Sequence, residues 1–211
     1  TIPSALHLSA ALRLNDDLLP ALQSLETELQ QRETELWQLS KTGRTHLMDA
    51  MPVTMGQEIG AWRQQIILAR EALQRRQPSL QQLAQGGTAV GSGVNAHRRF
   101  GDLLCQRLSE RTGINFSRAD NGFAALSNVD IALGLSGDLK QLAVALMKIA
   151  NDLRWMNSGP LAGIGEISLK ALQPGSSIMP GKVNPVIPEA VAMVAADCIG
   201  NDASISIAAQ S

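Results

Sequence analysis

The sequence predicts an all-α protein, an elongated bundle of long helices that carries one Gly/Pro-rich loop. Three observations lead there. Leu139, Leu142, Leu146, Ile149, Leu153 and Met156 alternate three and four residues apart, a heptad seam. Leu18, Leu22, Leu25, Leu29 and Leu36 recur at spacings of three, four or seven, one stripe of an earlier helix. Between residues 175 and 185 the run GSSIMPGKVNP has no apolar periodicity and is punctuated by glycines and prolines, so it is a loop.

Composition sets the class. A chain of 211 residues can bury a substantial core, as one domain or at most two. Hydrophobic residues make up 45% and charged ones 18%, the balance of a folded globule. The net charge of −1 offers no basic excess for a phosphate backbone, and with 3% aromatics and no Tyr there is no stacking platform. No nucleic-acid partner is expected. Cys105 and Cys198 form no CxxC, which points to reduced thiols and a cytoplasmic setting. His7, His46 and His97 are scattered without zinc-ligand spacing, so neither metal nor cofactor is expected. No run of about 18 apolar residues appears, so no membrane span is expected, and no signal peptide is seen. The chain opens at Thr1 almost directly in helical pattern and stops at Ser211 after an apolar run. Both features lead us to expect a piece of a longer protein, with any organellar targeting segment outside it.

In order, residues 4–39 read as a helix that Pro20 kinks or divides, because proline removes a backbone donor and crowds the preceding turn. KTGRTHLMDAMP, residues 41–52, reads as a loop between helices. Thr54 and Gln57 fit a capping box, and Ile59, Trp62, Ile66 and Leu73 trace a helical face up to a kink at Pro78. Arg70, Arg75 and Arg76 read as a solvated face. GGTAVGSG, residues 86–93, lacks the preceding strand and the Lys-Ser/Thr pair of a phosphate loop and reads as a turn. A short helix over 96–111 stops at Gly113. One helix is predicted over 122–157, about 50 Å long. That exceeds a compact globule's dimensions, so the seam needs other long helices, from this chain or from copies of it. Residues 159–181 form the longest stretch without helical pattern, of the kind that often serves as a lid. A final helix after Pro185 turns Ile187, Val191, Val194 and Cys198 inward, with Glu189 in its first turn, where an acid complements the helix dipole.

The loop holds the chemistry. Ser176, Ser177, Lys182 and Asn184 supply hydroxyls, an amide and one positive charge, and glycines let backbone N–H groups come close to a ligand. That inventory suits a small anionic substrate. Taken alone, His46 reads as a surface residue, since a loop histidine earns attention only with partners nearby.

GSSIMPGKVNP resembles the signature loop of the fumarase/aspartase superfamily, and the spelling PGKVNP is closest to class II fumarases and aspartases. GRTHLMDAMP resembles a second signature region of class II fumarases, and GGTAVGSG resembles their GGTAVGTG stretch. The likeness extends along essentially the whole chain and implies the central helical-bundle domain over residues 1–211, with the parent's N- and C-terminal domains outside it. It implies a homotetramer whose bundle combines four subunits and whose sites join segments of three. The implied activity is carbon–oxygen lysis, the reversible hydration of fumarate to L-malate, with the piece inactive alone. The implied catalytic residues are Ser176 as general base and His46, whose ring Glu189 holds. Thr45, Ser177, Lys182, Val183 and Asn184 would bind the dicarboxylate. Two alternatives stay open. Aspartases share VNPVIPE-like runs but usually carry Gln where this chain has His46. A helical assembly module with a vestigial loop is the other.

Overall fold

The computed structural model describes residues 1–210. Helix α1 (Ile2–Arg13) leads into a π-helical turn over Leu14–Leu18 and then α2 (Leu19–Glu35). Pro20 therefore neither divides nor stops the rod. Its ring cannot donate to the carbonyl four residues back, and the wider turn just before it, where Leu19 N–H bonds Leu14 O, absorbs the mismatch.

Residues 40–54 form an antiparallel hairpin, β1 (Ser40–Thr45) and β2 (Met48–Thr54), where the sequence suggested a loop. β1 carries no apolar side chain, and in β2 the apolar residues fall on both faces (Met48 and Ala50, Met51 and Val53), so no alternation announces them. Helix α3 (Met55–Leu80) opens on the expected capping box, with Gln57 N–H donating to Thr54 Oγ1 at 3.1 Å. It runs through Pro78 unbroken. Along it Ile66, Leu73 and Leu80 sit seven apart and are fully buried. Arg70 and Arg76, expected in solvent, instead bridge helices: Arg70 pairs with Glu26 of α2, and Arg76 with Asp138 further along the chain.

A two-residue strand β3 (Gln82–Leu83) pairs in parallel with β4 (Ser117–Arg118) around α4 (Phe100–Thr112). Gly113 ends α4 in the left-handed conformation, φ 73°, as a C-terminal glycine does. The 86–93 turn is tight for a steric reason: at Gly91 (φ 111°) a Cβ would meet the Phe123 nitrogen at 2.5 Å.

The predicted 122–157 helix is two: α5 (Gly122–Ser127) and α6 (Asp130–Met156), separated by Asn128 in extended conformation. The seam itself holds. Leu142, Ile149 and Met156 are buried, while Leu139, Leu146 and Leu153 pack beside them. Helix α7 (Val186–Ala208) lies against α6, but not by the predicted face. Pro188, Ala195 and Asp202 are its buried residues, whereas Ile187, Val194 and Cys198 are exposed. Its sequence is apolar on nearly every side, so periodicity cannot tell which side faces α6. The packed side is set by small residues and by Asp202, which accepts from Ser136 Oγ at 2.8 Å and pairs with Lys140. By length and mean hydropathy alone α7 is long and apolar enough to cross a membrane, although acidic residues interrupt it, so it holds no continuous apolar run of the kind the sequence was searched for. Its carboxylates Glu189, Asp197 and Asp202 and its seat against α6 are those of a bundle helix. The observed architecture is a helical bundle of α2, α3, α6 and α7 with the hairpin and the long loop attached to it.

Candidate active site

After α6 the chain runs without helix from Asn157 to Pro185. Its first part is tied to the helix end. Gly165 N–H donates to Ser158 O at 2.8 Å, Glu166 N–H to Met156 O at 2.8 Å, and Leu169 N–H to the Asn157 side chain at 2.8 Å. Its second part closes on itself. Ser176 N–H donates to Lys182 O at 3.1 Å, and a Cβ at Gly175 would lie 2.5 Å from that same carbonyl. The closure aims two donors at one hydroxyl: Ile178 N–H at 3.2 Å and Met179 N–H at 3.3 Å both point at Ser176 Oγ. Donors held in this way favour an anionic oxygen over a neutral one. Ser176 is half-buried, and Ser177, Lys182, Val183 and Asn184 are exposed beside it.

His46 stands at the tip of the hairpin. Thr45 pairs with Met48, which leaves His46 and Leu47 as a two-residue turn with φ of 51° and 65°. Both values lie in the left-handed region that the tightest hairpin turns require and that Asn and Gly usually supply. His tolerates it better than most side chains, whereas Leu does not. Replacing Leu47, which is 68% exposed, by glycine should therefore stabilise the protein by about 0.5–1 kcal/mol, read as a higher denaturation midpoint. Gly43 forms a bulge in β1, where a Cβ would come within 2.4 Å of Met51 O.

Two clefts flank Trp155, which lines both. The larger, about 570 Å³, receives Arg44 and His46 from the hairpin, Glu58 from α3, and Lys148 and Asp152 from α6. The smaller, about 420 Å³, gathers Arg154, Lys182, Val183, Asn184 and Glu189. Thr45, Ser176 and Ser177 line neither. His46 and Glu189 thus face different clefts, and no hydrogen bond joins them among the described residues.

Behind the larger cleft, whose lining includes Lys41, Arg44 and Glu58, lies a charge network centred on Glu166 that sequence reasoning missed. Arg44 Nη2 donates to Glu166 Oε1 at 2.9 Å. Lys41 Nζ lies 3.2 Å from Glu166 Oε2 and also donates to Glu58. The Arg44 hydrogen bond, aided by Lys41, outweighs burial and holds the Glu166 carboxyl below the ordinary range of glutamates. Beside it Asp152 accepts from Trp62 Nε1 at 3.2 Å and from Lys148. The one sequence cue was Glu166 as the sole acid in a glycine-rich run, too slight to act upon.

A family profile described as lyase matches residues 1–200. The chain belongs to this lyase family. It is 61% identical over 210 residues to a protein named fumarate hydratase class II 2 from Pseudomonas aeruginosa, covering all of this chain and 46% of that one. It is 54% identical over 210 residues to a fumarate hydratase class II from Xylella fastidiosa, covering 100% of this chain and 44% of that protein. Among solved structures, a recombinant class II fumarase from Schistosoma mansoni superposes with a TM-score of 0.96 at 38% identity, over 99% of this chain and 47% of that one. A fumarate lyase:delta crystallin from Brucella melitensis, bound to cobalt, gives 0.91 at 40% identity, over 99% and 45%. The lyase chain therefore spans under half the length of the curated relatives it matches.

Proposed function

We propose that the full-length protein to which this lyase domain belongs reversibly hydrates fumarate to L-malate. The observation that carries this reading is the 61% identity, along the whole chain, to a protein named for that class of hydratase. The chemistry makes three demands. A base removes a proton from a carbon beside a carboxylate, the charge that builds up on that carboxylate needs donors and a cation, and an acid protonates the departing hydroxyl.

In our reading Ser176 is the base. A free serine is too weak an acid to ionise near neutral pH, and the Ile178 and Met179 N–H groups supply part of what its alkoxide needs. Lys182 adds positive charge. Ser177, Val183 and Asn184 hold the dicarboxylate, with Thr45 contributed by the hairpin. His46 orients water or relays a proton, and Glu189 fixes its ring.

The separation of His46 and Glu189 into different clefts supports a site shared between copies, in a homotetramer. So do the exposed apolar side chains Met48 and Met51 on the hairpin and Met193, Val194 and Ile207 on α7, which suit a subunit contact.

The test is an assay of the full-length protein with fumarate plus water and with fumarate plus ammonia, followed by fumarate absorbance. Loss of fumarate in water alone supports the hydratase. Loss only with ammonia selects an aspartase, and no loss in either selects an assembly module or another substrate.

A further inference from the structure

We infer that Glu166 is a positioning residue that clamps the His46 hairpin to the segment leading into the Ser176 loop. Its kinetic consequence rests on the hydratase reading above; its mechanical consequence does not.

The hairpin is poorly held by apolar contact. Residues 45–51 are all exposed, and its backbone anchors lie at its base, where Met55 and Gly56 N–H groups donate to Leu39 and Leu36 carbonyls. Further toward the tip the hold is electrostatic. Arg44, two residues before His46 and lining the same cleft, and Lys41 both converge on the Glu166 carboxylate. Lys41 also reaches Glu58 and lies 3.4 Å from Met156 Sδ, so the network joins β1, α3, the end of α6 and the long loop.

These groups are withdrawn from water. The Lys41 side chain is 8% exposed and the Glu166 side chain 16%. Two cations face two carboxylates, so the set is balanced, and deleting one member leaves a charge buried without its partner. Glu166 is suited to anchor the others because its own N–H is bound to Met156 O. Its carboxylate thus stands on fixed backbone, and Arg44 carries that fixity to the strand that ends in His46. Proton transfer is sensitive to placement, and a displacement of about 1 Å can cost about 10²-fold in rate.

The experiment uses the full-length protein with Glu166→Gln, Arg44→Gln, His46→Gln and the double variant Glu166→Gln/His46→Gln. Hydrogen exchange of residues 40–54 and steady-state fumarate hydration are both measured. Glu166→Gln should speed exchange in the hairpin about tenfold while α3 and α6 keep their protection. It should lower kcat by up to about 10²-fold with KM nearly unchanged, and should cost nothing further once His46 is already Gln. Arg44→Gln, at the more exposed end of the network, should reproduce both effects more weakly.

Unchanged hairpin exchange overturns the clamp whatever the activity. So do multiplicative rate losses in the double variant, or global unfolding of both Glu166→Gln and Arg44→Gln. A loosened hairpin in a protein that never hydrated fumarate leaves the clamp standing and removes the hydratase reading instead.

Discussion

Ser176→Ala in the full-length protein should abolish measurable fumarate hydration, a loss on the order of 10³–10⁴-fold in kcat, with oligomeric state unchanged by gel filtration. The size of the loss follows from what the hydroxyl does in our reading. It must take a proton from a very weak carbon acid, and no other hydroxyl of the loop receives two backbone donors; the Ser177 side chain makes no hydrogen bond among the described residues. Assembly should persist because Ser176 Oγ contacts only its own loop, while the backbone bond to Lys182 O survives the substitution. Dehydration of malate at a near-normal rate by this variant would remove Ser176 from the mechanism.

His46→Gln should slow hydration about 10²-fold, since an amide can hydrogen-bond but cannot carry a proton near neutral pH. The control is His46→Asn. Asparagine tolerates the left-handed backbone that His46 adopts, so it keeps the turn while discarding the ring. Equal losses in the two variants assign the effect to the imidazole. A slow Gln variant beside a fast Asn variant would assign it to turn geometry, and an unaffected pair would take His46 out of the reaction.

Much of the scaffold was legible because burial imposes a period. The α6 seam and the Ile59, Trp62, Ile66 and Leu73 face are all inward as spacing predicts, and the Thr54–Gln57 box caps α3 as its spelling predicts. Legibility failed wherever the outward side is as apolar, or as polar, as the inward one. Helix α7 is greasy all round, so its contact with α6 is decided by Ala195 and Asp202 rather than by its largest side chains. In the hairpin the inward side chains of β1 are the polar Lys41 and Arg44 and most of β2 is exposed, so it reads as loop. The break at Asn128 was hidden because leucine-like spacing continues across it. For the site, the loop residues were nameable from their spelling. The Lys41–Glu58–Glu166–Arg44 network was not, because its pairs to Glu166 join residues more than a hundred positions apart and charge pairing at such separation leaves no periodic trace.

The wide turn at Leu14–Leu18 has a consequence for counting along the chain. It stores one residue more than an α-helix of the same rise, about 100° of rotation, so the stripe ahead of it and the stripe behind it are out of phase. A homologue that lacked this turn could be brought into register only by a single-residue gap in mid-helix. Scoring schemes that forbid such gaps would misplace every side chain upstream, including His7, which bonds Gln82 O at 2.9 Å.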